Sequence, residues 1–480
     1  MSDSDCISIL TFKYLLTTAF LSGLPTSRNI WNQIEGLLTD LVNIFGTEYA
    51  YEVINEHSFG HNLAIKYPKS SIYIKSVKLW FKIVWEKHNW FPNKFNITSS
   101  NDNSPDTTDI GYKTYFLEYD HHYVTLLESF EGITMGTTGL SSWGASKALF
   151  SWCSENSELV LKNKRIIELG AGVGYTAACV LSLKNLPEVY TATDYHPTVL
   201  SVLHHNLSLI SDCGKNKSQQ DLLEFCSKMR SQMVEEELPP GEFGHWCEGS
   251  RLSFLGSNIT VQQLDWRRPT PVNLQSYDVI LASDVVYARH LFSDLVKVIR
   301  ELLSNCQNKK YKNNINKKEE EEETKDKMPY NKCNVKDDHK RKASGEESNC
   351  PETCDKYIAA THDVLQVQEA HTLMEDADSL FRRKNVQIEE RKETKDNETR
   401  VKMNENDEKA VTNEISSFTF PTAFVACTKR DRETLSDFLN EITRQGLRFK
   451  IVYQATLGKD EALFSLDESY KPIIIYQITL

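Results

Sequence analysis

At 480 residues, with 40% hydrophobic side chains, the chain is long enough for two or three domains and apolar enough to bury a substantial core. A net charge of −12 argues against a general affinity for nucleic acid or anionic membrane and turns attention to protein and small-molecule partners. Eleven cysteines are scattered, and the close pair Cys350 and Cys354 has no second pair at zinc-ligand spacing, so reduced thiols of a metal-free cytoplasmic protein are expected.

The apolar run from Ile7 to Leu24 follows an acidic start, is broken by Lys13 and lacks a small-residue cleavage site. It is not read as a signal peptide, and it is too short and mixed for a membrane span. Leu10, Phe12, Leu15, Leu16, Phe20 and Leu21 fall close to helical spacing, and similar stripes recur over 30–45 and 72–85. Residues 1–95 are therefore expected to form a small α-helical domain. A stretch dominated by Asn, Ser, Asp and Pro makes 96–111 a linker. Beyond it, strand-like runs 112–119 and 123–129 bracket Asp120-His121-His122 and read as a hairpin, followed by Gly136-Thr137-Thr138-Gly139-Leu140, Trp143 and a helix over 145–155.

From there strand and helix alternate: strand 165–169, helix 176–183, strand 188–193, helix 197–209, strands 258–263 and 277–283, helix 291–303. This pattern predicts an α/β fold, a mostly parallel sheet covered by helices on both faces, with ligands at the carboxyl ends of its strands. Two final β-rich runs, 448–454 and 472–479, have no long crossover between them and are expected to pair antiparallel at the sheet edge. Two inserts interrupt the series. The polar 211–257 carries nothing that points to catalysis. The longer 305–417 contains Lys317-Lys318 and Glu319–Glu323, is charged and poor in aromatics, and is expected to be mostly disordered, with a transient helix over 357–381.

The candidate site follows from the strand ends. Arg165-Ile166-Ile167-Glu168-Leu169 runs into Gly170-Ala171-Gly172-Val173-Gly174, a turn whose glycines let the backbone approach a nucleoside. The next strand ends in Asp194, placed to accept ribose hydroxyls. After the third comes Leu264-Asp265-Trp266, where adenine can stack on the indole while its amino group donates to Asp265. The fourth ends in Ser283-Asp284-Val285-Val286-Tyr287. Glycines alone leave the cofactor open, since Gly172-Val173-Gly174-Tyr175-Thr176-Ala177 also satisfies a dinucleotide fingerprint.

Glu168-Leu-Gly-Ala-Gly172, Leu264-Asp-Trp266, Asp284-Val-Val-Tyr287 and the antiparallel ending together resemble the seven-β-strand protein lysine methyltransferases. The Gly136–Leu140 segment with Trp143, Phe424-Val-Ala-Cys-Thr428 and the final Gln477-Ile-Thr-Leu480 narrow the resemblance to the branch that modifies translation elongation factor 2. The match covers roughly residues 112–210, 257–304 and 420–480. It implies a seven-stranded Rossmann-like methyltransferase domain in two parts, 112–304 and 418–480. It further implies an S-adenosylmethionine site at Trp143, Glu168, Gly170, Ala171, Gly172, Asp194, Trp266 and Ser283, with Ser283 where relatives commonly have Ala, beside the Asp265 read above as an adenine acceptor. Asp284 and Tyr287 would border the pocket for the target lysine. A monomeric cytoplasmic enzyme is expected, with elongation factor 2 as protein partner and neither nucleic acid nor membrane. Two other readings share the fold: a methyltransferase of another protein, small-molecule or nucleic-acid substrate, and a degenerate scaffold.

Overall fold

A computed structural model describes residues 3–24, 26, 29–90, 110–117, 123–210, 217–234, 251–254, 256–269, 276–305, 420–454 and 472–480. The expected disordered insert and its transient helix lie outside the described residues.

The helical start consists of α1 (Asp3–Leu21), α2 (Asn29–Phe45), α3 (Thr47–Ile54), a π-helical turn (Asn55–Phe59), α4 (Asn62–Lys66) and α5 (Ser71–Lys87). Ile30, Trp31, Ile34, Leu38 and Leu41 form one stripe on α2, and they pack with Phe12, Leu16 and Phe20 of α1 and Val77, Phe81 and Trp85 of α5. Ser70 begins α5 by accepting from the Tyr73 amide at 3.2 Å.

The hairpin pairs β1 (Ile110–Phe116) with β2 (Tyr123–Ser129) antiparallel, so β1 begins inside the stretch expected to be linker. Its first residues are bound to the helical start. The Tyr112 amide donates to the Pro68 carbonyl at 2.9 Å, and the buried Lys69 ammonium donates to the carbonyls of Tyr112 and Leu21. Burial holds the Lys69 pKa well below its usual value, with Lys113 adding to the effect.

After the hairpin come α6 (Gly144–Glu155), α7 (Ser157–Val160), β3 (Arg165–Leu169), α8 (Tyr175–Val180), β4 (Val189–Asp194), α9 (Pro197–Ile210) and α10 (Gln219–Val234). They are followed by β5 (Arg251–Phe254), β6 (Ser257–Gln263), β7 (Val279–Ser283), a helix α11 over 292–305, β8 (Thr422–Thr428), α12 (Arg432–Arg444), β9 (Arg448–Gln454) and β10 (Ile473–Thr479). The large sheet runs β5-β6-β4-β3-β7-β8-β10-β9. From β6 to β9 this is a seven-stranded sheet whose first five strands, β6 through β8, are parallel and whose β10 is antiparallel to both β8 and β9.

The sheet strands read as near-continuous apolar runs because both faces are covered. Along β3, Ile166 enters the core beneath α6, α8 and α9, while Ile167 and Leu169 enter the opposite core beneath α11 and α12. The same alternation runs through β7 and β8.

The insert 211–257 holds more structure than its polar composition suggests. Leu222, Cys226 and Met229 recur at helical spacing on α10 and are buried with Ile110 and Tyr112 of the hairpin. The short β5 adds an antiparallel edge strand beside β6. Expected helix 176–183 is shorter, because α8 stops at Val180 and tightens into turns around Ser182 and Leu183.

Candidate active site

A cavity of about 250 Å³ opens at the carboxyl ends of β3, β4, β6 and β7 and is bounded on another side by the segment 137–143. Its walls converge on the glycine turn. Gly170 has φ +65°, and a Cβ there would sit 2.9 Å from Val285 Cγ1 and 3.5 Å from Trp266 Cζ2. Gly172 has φ +56°, and its Cβ would meet the Gly139 carbonyl oxygen at 3.0 Å. Only a residue without a side chain lets the Trp266 segment, the Asp284 turn and the Gly136–Leu140 segment approach the same backbone.

Asp194 secures that turn. Its Oδ2 accepts from the Gly172 amide at 3.1 Å, and its Oδ1 accepts from the amides of Tyr195 at 2.7 Å and His196 at 3.2 Å. Burial pushes its pKa up while the three amides oppose that shift. Asp265 is gripped by Arg267, whose Nε and Nη2 donate to the two carboxylate oxygens at 2.9 and 3.1 Å. That fork holds the carboxyl below its usual range. The Arg267 guanidinium also lies 5.1 Å from the Tyr195 ring centroid, bridging two cavity-lining loops.

Across the cavity, Trp143 donates from Nε1 to the Thr138 carbonyl at 3.0 Å and turns a ring face to Arg430, 4.9 Å away. Asp284 occupies left-handed backbone at φ +54°, which a non-glycine residue adopts at a cost of roughly 1 kcal/mol and which favours Asp or Asn when it occurs. Its oxygens accept from the Thr428 amide at 3.2 Å, the Thr428 hydroxyl at 3.1 Å and Arg430 Nη2 at 2.9 Å. These contacts direct the carboxylate toward the end of β8. Tyr287, 54% exposed, stands at the mouth with His290.

Every cofactor and catalytic candidate named from sequence lines this cavity except Glu168. Glu168 lies between two residues that face the α11 core, so its side chain points to the other face of β3. There it is 1% exposed and accepts from the Tyr190 hydroxyl at 2.7 Å. Burial raises its pKa from 4.5 to about 7, against the opposing hydrogen bond from Tyr190.

Three side chains that organise the site have no motif to announce them. Buried Glu128 accepts from the Ser142 amide and hydroxyl at 3.0 and 2.8 Å and from the Tyr115 hydroxyl at 2.9 Å, tying the hairpin to the residue before Trp143. Its signal in the sequence is a lone carboxylate inside the apolar strand Tyr123–Ser129. Arg267 and Arg430 act through partners brought close by folding, and only the neighbouring Asp265 hints at the first. Among the described residues, no cluster of three or more His, Cys, Asp or Glu is placed to hold a metal, and no helix is long and apolar enough to cross a membrane.

A family model described as lysine methyltransferase matches residues 250–326. The protein-lysine N-methyltransferase EEF2KMT of Homo sapiens is 31% identical over 195 residues, 40% of this chain and 48% of the relative. The protein-lysine N-methyltransferase EFM3 of Chaetomium thermophilum is 36% identical over 157 residues, 31% and 43% of the respective lengths. A calmodulin-lysine N-methyltransferase of Arabidopsis thaliana is 22% identical over 168 residues, 35% and 41%. The chain spans about half the length of the curated relatives it matches. In its strand order, its strand-end motifs and these similarities, the chain resembles the protein lysine methyltransferase family.

Proposed function

We propose that the chain is an S-adenosylmethionine-dependent protein-lysine N-methyltransferase that modifies a lysine of translation elongation factor 2. The observation that carries this reading is one cavity into which the glycine turn, Asp194, Asp265-Trp266 and the Asp284–Tyr287 turn all open. The similarity to EEF2KMT supports the choice of substrate. Cytoplasmic location and a monomeric state belong to the same proposal.

The lining suits the donor. Backbone too crowded for a Cβ at Gly170 lies beside the indole of Trp266, an apolar ring able to cover a purine. The Asp194 carboxylate, fixed by three amides, has the acceptor capacity a ribose diol requires. Asp265 and the backbone of Gly170, Ala171, Gly172 and Ser283 complete the wall, with Trp143 opposite. The bound donor supplies a methyl group activated on a sulfonium.

The residues of the chain must then align an amine and keep it neutral. A free lysine, with a pKa near 10.4, is neutral in about one molecule in 2,500 at pH 7, a handicap of roughly 4.6 kcal/mol. Partial desolvation at the cavity mouth favours the neutral form, and Asp284, immobilised by Thr428 and Arg430, orients the nitrogen by accepting from one of its two N–H groups. With the donor held by the glycine turn, Asp194 and Trp266, these residues would present the neutral amine in line with the activated methyl group, and the amine's proton would leave to solvent. Tyr287 offers a ring face to the methylated ammonium.

Purified elongation factor 2 incubated with the full chain and S-adenosylmethionine tests the reading. Mass spectrometry should find one lysine heavier by methyl increments. An unmodified factor would refute the substrate, and calorimetry without cofactor binding would favour a scaffold.

A further inference from the structure

Arg430 lies two residues beyond β8, and its guanidinium joins two cavity-lining side chains from separate parts of the chain. Nη2 is 2.9 Å from Asp284 Oδ2, and the guanidinium carbon is 4.9 Å from the centroid of the Trp143 ring. Asp284 is 7% exposed and Arg430 38%, so the pair is shielded on the carboxylate side. Arg430 does not line the cavity itself. It grips two residues that do.

We propose that Arg430 is a positioning residue of the methyl-transfer site, which fixes Asp284 and Trp143 and sets a positive charge that disfavours protonation of the incoming lysine amine. The inference rests on the lysine-methyltransferase reading above. A carboxylate facing an amine on its own would hold it as ammonium, which cannot attack carbon. A cation within about 4–6 Å of that carboxylate opposes the effect. The arrangement keeps Asp284 as an orienting acceptor while withholding its charge from the nucleophile.

Other charged and titratable groups surround the pair. Cys427, on the strand beneath, has its thiol pKa pushed up by burial and then by Asp284. Tyr287 and His290 stand at the mouth. Arg289 is engaged by Asp431, Glu433 and Asp437 on α12. Asp194, and Asp265 with Arg267, lie along the cavity from the glycine turn. His290 lines the same cavity and needs a control of its own.

The test is the pH dependence of kcat for the full chain on elongation factor 2, at saturating donor. In Arg430→Gln the midpoint of the rising limb should move up by about one unit or more. Turnover near neutral pH should then fall about tenfold and recover to within about twofold at the alkaline plateau. Arg430→Lys, which keeps the charge, should hold the wild-type midpoint, and the shift should persist in a His290→Gln background. Should thermal melting show Arg430→Gln unfolded, Arg430→Met keeps the stem against Trp143 and tests the same loss of charge. A uniform fall in kcat with an unmoved midpoint would overturn the inference and leave the function standing. A wild-type chain that methylates no lysine would overturn both.

Discussion

Replacing Glu168 by Gln removes a carboxyl that the fold holds in an unusual state. The side chain is 1% exposed, and its pKa rises from 4.5 to about 7, through burial above all. A raised acid contributes stability that is fully present below the unfolded value. That stability is lost as pH climbs through the window between 4.5 and about 7. Linkage over that window gives a loss of about 2–3 kcal/mol between pH 5 and pH 8. Gln has nearly the same volume, can still accept from the Tyr190 hydroxyl, and does not ionise. Urea unfolding of both proteins across this range should therefore show Glu168→Gln gaining on the wild type by about 2–3 kcal/mol as pH rises. A stability difference that stays flat from pH 5 to pH 8 would refute a raised pKa at Glu168.

Asp284→Ala should abolish methyl transfer while calorimetry finds donor affinity within a few fold; retained turnover would remove Asp284 from the mechanism. Trp266→Ala should weaken donor binding by roughly 1–3 kcal/mol if the indole stacks on adenine, and unchanged binding would assign the ring to the core. Gly170→Ala should combine left-handed backbone strain with a 2.9 Å approach to Val285, costing about 2–4 kcal/mol in denaturant unfolding. An unaffected midpoint would mean that the turn relaxes freely.

The parts of the fold legible in the sequence were those written in local punctuation. Gly170 and Gly172 break the strand, Asp194 and Asp265 follow strands, and the lack of a crossover between β9 and β10 fixes their antiparallel pairing. What stayed hidden depends on partners distant in the chain. Glu128 gains its role from Ser142 and Tyr115, and Arg430 from Asp284, 146 positions away. Asp265 reads as a free acceptor until folding turns Arg267 back onto it. Glu168 looked like part of the cofactor wall because it adjoins the glycines, yet strand alternation sends its side chain to the other side of the sheet. In the insert, polar residues outnumber Leu222, Cys226 and Met229, so α10 was obscured by composition although its buried face has helical spacing.

Under the proposed function, this cavity transfers methyl groups to a lysine of one protein. Incubating the purified chain with radiolabelled S-adenosylmethionine and a cell extract, then identifying the labelled species, tests it without presuming the acceptor. Label is expected on a lysine of elongation factor 2 and is expected to be absent with Asp284→Ala. Label on another molecule would contradict the substrate, and no label in any fraction would contradict the activity itself.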